Sequence, residues 1–324
     1  MHLGNYLGAV KNWVNMQEYP DTERYYCVVD LHSLTTNYVS DKDSKDQIES
    51  QEQTLKTAAN LIACGVDPKK SNLFIQSHVP AHSELSWILM CMTPMSWLNS
   101  MIQYKEKRKK EDSTSVALLN YPCLMAADII LYQPSMVPVG DDQRQHLELT
   151  KLLIQRINAL SGLELRVPDV IKSEHQRVMS LKNASNKMSK SDRSIRSRIS
   201  LIDDPEMIKE KIRRAKTDSL GSITYDPNRK ELYNLLNIYA SVKDIPASNL
   251  EDYLADDNMF SFKMKLADGL IDKICPIGER YQALLQEEDR LLEILEQGAK
   301  GANLKADKTL ATIRKGLKML PRDM

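Results

Sequence analysis

Lys187-Met188-Ser189-Lys190-Ser191 gathers two ammonium groups and two hydroxyls within five residues, followed by Asp192 and a basic, polar run. Such a set suits polyphosphate chemistry, because ammonium groups neutralise the negative charge that grows on transferring and leaving phosphates. Alone, the stretch reads more readily as a solvated surface loop. It gains meaning from a partner at the other end of the chain. His2, Gly4 and Asn5 fall at the first turn of a helix whose apolar stripe is Leu3, Leu7, Val10 and Val14. A helix start offers free N–H groups and a positive dipole end to an anion. A glycine there lets a flat ring or a phosphate approach the backbone. An ordinary capped helix start is the other reading.

A second candidate is Asp128, the one acid in the apolar stretch 121–132. A buried carboxylate is costly without a partner, so either a protein donor or a ligand N–H must serve it. Tyr121, Met125 and Asp128 lie about one turn apart and share a helix face. His32 follows a strand, where ligands sit in open α/β sheets, although a core-edge histidine fits too. Residues 137–140 read as a short strand ending at Gly140, with a helix beginning near Asp141. Gln143 and His146 then point from the helix start, and the pair Asp141 and Asp142 suits a sugar hydroxyl better than a phosphate.

These groups need a frame. Residues 25–29 and 72–76 read as strands, separated by a helix over 47–64 that Gly65 and Pro68 close. Strand, helix, strand implies a parallel sheet with helical crossovers. Helices follow at 83–92 and 97–107, broken at Pro94, and the second ends in the basic cluster 105–110. Residues 177–181 form a last short apolar stretch before the lysine loop. Beyond Asp203 the 3.6-residue period predicts helices at 205–216, 232–242, 260–274, 276–285 and 288–296, then a basic helix over 302–320.

Composition narrows the function classes. The 324 residues carry 44 Lys+Arg and 44 Asp+Glu, so a phosphate-bearing partner is held by local patches and not by a global field. No apolar run approaches the ~20 residues of a membrane span. Five scattered cysteines, with no Cys-x-x-Cys and no zinc spacing, point to a reducing compartment and no structural metal.

A helix-start His-x-Gly-Asn and a distant Lys-Met-Ser-Lys-Ser resemble the two signatures of the class I aminoacyl-tRNA synthetases. Residues 187–191 match the second in full, whereas Asn5 replaces the usual final histidine of the first. Residues 2–9, 29–33, 125–132 and 137–143 resemble, more closely, the tryptophanyl-tRNA synthetases of bacterial and organellar type. The resemblance implies a Rossmann-like parallel sheet with helical crossovers over residues 1–186, a mobile loop at 187–195, and an all-helical tRNA anticodon-binding region at 196–324. It implies that Asp128 accepts the indole N–H of tryptophan, that Met125 and His32 line the indole, and that Tyr121 and Gln143 hold its ammonium and carboxylate end. Gly4, Asn5, Gly140, Asp141, Asp142 and Val178 would bind ATP, with His2 by the phosphates. Lys187 and Lys190, with Met188, Ser189 and Ser191, would bind pyrophosphate and stabilise the transition state, aided by Lys105 and Lys107. The implied partners are tRNA(Trp), L-tryptophan, ATP with Mg2+ and a second copy of the chain. The implied location is bacterial cytoplasm or an organelle matrix. Relatives start with a strand and a Pro-Ser/Thr-Gly turn ahead of the first signature, and this sequence opens at the signature itself. Upstream residues are the expectation, with a shortened, inactive tRNA-binding or regulatory form as one alternative and a tyrosine ligase as another.

Overall fold

In the computed structural model, residues 1–37, 50–108, 115–140, 143–172 and 177–321 are described. Short runs of β-branched and aromatic residues form parallel strand pairs. β1 (Tyr25–Val28) pairs with β2 (Asn72–Ile75), Tyr25 opposite Asn72 and Val28 opposite Ile75. β3 (Met136–Val139) pairs with β4 (Asp169–Lys172), Met136 opposite Asp169. Among the described residues no strand joins the two pairs. The chain is thus mixed α/β with parallel pairing, as expected. β4 escapes a sequence reading because its apolar content is only Val170 and Ile171, and Val170 is left 46% exposed.

The helices are α1 (residues 3–16), α2 (Asp30–Asn37), α3 (Ser50–Ala63), α4 (Ala81–Met92), α5 (Met95–Ser100), α6 (Ile102–Arg108), α7 (Val116–Ile130) and α8 (Arg144–Ser161). After the lysine loop come α9 (Pro205–Arg213), α10 (Lys230–Lys243), α11 (Leu250–Tyr253), α12 (Met259–Gln286) and α13 (Glu288–Gly316). No helix is long and apolar enough to cross a membrane, among the described residues.

Two compact units divide the chain, and neither is one continuous segment. The first contains residues 1–19, 59–66 and 173–287, and the second 20–58, 67–172 and 288–324. In the first, α1 buries Leu3, Leu7 and Val10, as its stripe requires, and widens to π spacing over Tyr6–Val10. α12 packs on α9 and α10. In the second, α4, α7, α8 and α13 close around Phe74, Leu85, Ala127, Leu153, Ala302 and Ile313.

Three helix boundaries depart from the sequence reading. The expected helices 260–274 and 276–285 are one, α12, which runs through Pro276. Proline there removes one backbone bond at a cost of ~3 kcal/mol, and burial of Leu270, Ile274, Ile277 and Tyr281 offsets it. The expected helices 288–296 and 302–320 are likewise one, α13, which runs through Gly298 and Gly301. The reason lies in β2. A Cβ at Gly298 would sit 1.9 Å from the Leu73 carbonyl oxygen, and one at Gly301 2.3 Å from Asn72 Oδ1. The glycines let the helix backbone lie directly on the strand, which outweighs their ~1 kcal/mol propensity cost each. Conversely, the expected helix 97–107 is split into α5 and α6, because Met101 turns to ψ 126° to bury its side chain.

Candidate functional site

The lysine loop is built in the first unit by backbone pairing. Residues 1–3 run beside 199–201, with Leu3 N donating to Ile199 O at 2.8 Å and Leu201 N to Met1 O at 3.2 Å. Residues 178–180 run antiparallel to 186–188, with Met188 N donating to Val178 O at 3.1 Å and Ser180 N to Asn186 O at 2.9 Å. Met188 is 2% exposed and pins the loop, and a Cβ on Gly4 would lie 3.4 Å from Met188 Cβ. The two signatures, distant in sequence, therefore meet. Lys187, Lys190 and Ser191 are exposed around the buried methionine. Neither lysine forms an ion pair among the described residues. Ser189 and Ser191 bond each other through their hydroxyls at 2.8 Å, and Ser191 N donates to Ser189 Oγ at 3.2 Å. Val178 is buried, with its carbonyl engaged by Met188.

His2 is buried beside this loop, and its Nδ1 has no hydrogen-bond partner. Burial pushes its pKa down to about 4, helped by Arg198 and Lys187. His2 is thus neutral at neutral pH and offers a ring nitrogen, not a charge, to a ligand. Asn5 is exposed and its Oδ1 accepts from His2 N at 3.2 Å. Further along this unit, Arg229 forks onto Asp218 at 2.7 and 2.8 Å and also donates to Ser222 O and Thr224 Oγ1. That clasp folds the 217–229 loop.

The second unit assembles a different site around Asp128, on α7. Its side chain is 15% exposed. His32 Nε2, on α2, contacts Oδ2 at 2.7 Å. Gln76 Nε2 donates to Oδ1 at 2.7 Å, and His82 Nδ1 contacts the same oxygen at 2.6 Å. Burial by itself would raise the Asp128 pKa; the hydrogen bonds and charges of His32 and His82 more than offset it and hold the carboxyl below its ordinary range. Asp128 therefore stays ionised. The loops that carry these donors are tied together: Asp30 Oδ1 accepts from Leu31 N and Ser77 N, each at 3.0 Å. Ser115 caps α7 and donates to Thr35 O on α2 at 3.0 Å.

Tyr121 stands with its ring edge-on to His32, centroids 6.2 Å apart, and its hydroxyl meets His146 Nε2 at 2.8 Å. Met125 is half-buried on the same helix. Gly140 closes β3 and accepts from Gln143 N at 3.0 Å, so α8 starts at Arg144 with Gln143 as its cap. Asp141 and Asp142 lie outside the described residues. Lys105 is exposed on α6; the side chain of Lys107 and the cluster 109–110 lie outside the described residues.

His82, Gln76 and Tyr132 escape a sequence reading. Gln76 directly follows β2, the same signal that singles out His32, and Tyr132 is one helical turn beyond Asp128. His82 carries no local signal, because it reaches Asp128 only through the packing of α4 on α7.

Comparison with known proteins gives the arrangement its family. Residues 1–269 match the tRNA synthetases class I (W and Y). The tryptophan–tRNA ligase of Gloeobacter violaceus is 47% identical, over 99% of this chain and 94% of that relative. That of a Prochlorococcus marinus strain is 44% identical, over 99% and 95%. Among solved structures, the tryptophanyl-tRNA synthetase of Mycoplasma pneumoniae is 31% identical with a TM-score of 0.86, over 99% of this chain and 94% of that one. The Campylobacter jejuni enzyme, complexed with ADP and tryptophan, is 30% identical with a TM-score of 0.79, over 98% and 96%. The chain belongs to the class I tRNA synthetases for tryptophan and tyrosine, and within them to the tryptophan–tRNA ligases.

Proposed function

We propose that this chain joins L-tryptophan to tRNA(Trp) in two steps, using ATP, with the residue roles that follow. In the first step a tryptophan carboxylate oxygen attacks the α-phosphorus of ATP. A new O–P bond forms, the bond from the α-phosphorus to the bridging oxygen breaks, and pyrophosphate leaves. In the second step a terminal ribose hydroxyl of the tRNA attacks the activated carbonyl and AMP leaves. Neither step needs a covalent enzyme nucleophile; position and charge do the work.

The contact between Gly4 and Met188 carries this reading, because it gathers His2, Gly4, Asn5, Lys187 and Lys190 in one unit. Lys187 and Lys190 neutralise the departing pyrophosphate, while Ser189 and Ser191 supply hydroxyl donors. His2, being neutral, offers a hydrogen bond by the phosphates. Mg2+ enters with ATP as part of the substrate; among the described residues no cluster of three His, Cys, Asp or Glu is built to hold a metal. Val178, Gly140, Asp141 and Asp142 serve the nucleoside. Asp128 reads the indole N–H, Met125 and His32 line the ring, and Tyr121 with Gln143 takes the amino-acid end.

Residues 1–186 serve catalysis, 187–195 are the mobile loop, and the helices of 196–324 meet the tRNA. A second copy would cover the exposed Trp87, Met95 and Val116, which are 65%, 65% and 74% exposed on the second unit. The test is ATP–pyrophosphate exchange. Exchange that requires tryptophan and ignores tyrosine is expected; exchange driven by tyrosine, or by neither amino acid, refutes the reading.

A further inference from the structure

Three protein donors share Asp128 unevenly. His32 takes Oδ2, while Gln76 and His82 both take Oδ1. An ionised carboxylate offers about four lone-pair positions, two on each oxygen. Oδ1 is therefore saturated, and Oδ2 retains a single open position. We propose that His82 is a positioning residue: it saturates Oδ1 with Gln76 and so leaves Asp128 one acceptor, on Oδ2, with which to read a ligand N–H. The proposal rests on the reading of Asp128 as the indole acceptor and adds the group that makes that acceptor selective.

His82 has no other task in view. It is fully buried, out of contact with solvent. Both ring nitrogens are engaged by protein: Nδ1 by Asp128 and Nε2 by the Tyr132 hydroxyl at 2.8 Å. Facing a carboxylate, Nδ1 must carry a proton. Burial, with the negative groups around it, raises the Tyr132 pKa far above the ordinary range, so that phenol keeps its proton where it meets Nε2. The result is one hydrogen-bonded chain: the Tyr132 hydroxyl on His82 Nε2, then His82 Nδ1–H donating to Asp128 Oδ1. Phe74 packs against the imidazole with centroids 6.0 Å apart, and Tyr25 stacks on Tyr132 at 4.6 Å. Those contacts hold the ring in place before any ligand arrives, which is what a selective hydrogen-bond reader requires.

The test compares tryptophan with its benzothiophene analogue, which keeps the bicyclic shape and lacks the N–H. The quantity read is the ratio of kcat/KM values in ATP–pyrophosphate exchange. For His82→Leu the ratio is expected to fall about tenfold, with the KM for tryptophan raised and kcat within about threefold of the parent. His82→Asn, whose amide can place a donor near the lost Nδ1, is expected to restore most of the ratio. Tyr132→Phe removes the partner of Nε2 and loosens the imidazole, and is expected to lower the ratio about threefold. An unchanged ratio in His82→Leu, confirmed folded by circular dichroism, overturns the proposal. If that variant does not fold, an unchanged ratio in Tyr132→Phe overturns it instead. Asp128→Asn separates the two ideas: an unchanged ratio there refutes the indole reading itself, whereas a fallen ratio there with an unchanged one in His82→Leu refutes only the role of His82.

Discussion

Asp128 and Lys187 are charged side chains assigned to the two substrates of one reaction, and the protein treats them in opposite ways. Asp128 is held by three protein donors and is only 15% exposed. Lys187 and Lys190 stand exposed on a loop fastened through the buried Met188 and the backbone pairing around it. The difference fits the role proposed for each. Choosing one amino acid among similar ones needs an acceptor whose position and charge are fixed before binding, because an unmatched ligand then leaves buried polar groups unsatisfied. Neutralising a phosphate chain needs charge that follows the substrate as it comes apart, and a flexible ammonium does that.

The contrast breaks first at the lysines. Lys190→Ala is expected to lower kcat for tryptophan-dependent exchange by roughly 100-fold or more, while the KM for tryptophan moves less than about threefold. An equal loss in both parameters would mean that the loop also holds the amino acid. The next effect in size is at Asp128. Asp128→Ala is expected to raise the KM for tryptophan by roughly tenfold or more and to lower the melting temperature, because Gln76, His32 and His82 each lose their acceptor. A variant that keeps its full tryptophan preference would show that Asp128 does not read the indole.

Salt sharpens the comparison with a smaller effect. Raising ionic strength from about 0.05 to 0.5 M shortens the screening length several-fold. Isothermal titration is expected to show pyrophosphate binding weakened several-fold and tryptophan binding changed by less than twofold. Equal weakening would show that the Asp128 site is wetter than its hydrogen bonds imply.

The smallest effects are in pH. The Asp128 carboxyl is held below its ordinary range, so its contribution to stability is present above its unfolded pKa and is lost as pH falls through the lowered folded value. Tryptophan affinity is expected to stay flat down to about pH 5. His2 acts in the same direction for the opposite reason. Its folded value of about 4 lies below the ordinary 6.5, so between those limits the unfolded chain binds the extra proton. Stability therefore falls as pH drops through that window. NMR titration of the His2 ring checks this; a midpoint near 6.5 would show that His2 is not buried as described.

Much of the frame was legible in sequence, and the limits have physical causes. The α1 stripe, the two signatures and the parallel α/β class are local patterns. The residues of the lysine loop were legible too, although their meeting with Gly4 depends on backbone pairing that no local pattern carries. Asp128 was visible as an acid among apolar residues, but its partners were not. His82 arrives from α4 and Gln76 from the end of β2, both far away in sequence, so the choice between protein donor and ligand N–H stayed open. The structure supplies the protein half: three protein donors occupy the carboxylate, and the ligand N–H is the proposed occupant of the position that remains. The continuity of α13 was hidden because Gly298 and Gly301 look like a break until β2 is laid against them.

A double-variant cycle tests most directly whether one region selects and the other reacts. The values needed are kcat/KM for tryptophan in Asp128→Asn, in Lys190→Ala and in the double variant. The two side chains share no partner and serve different events, so their effects should add to within about 0.5 kcal/mol. A coupling well above about 1 kcal/mol would instead show that they act as one unit, and would contradict the division of labour between them.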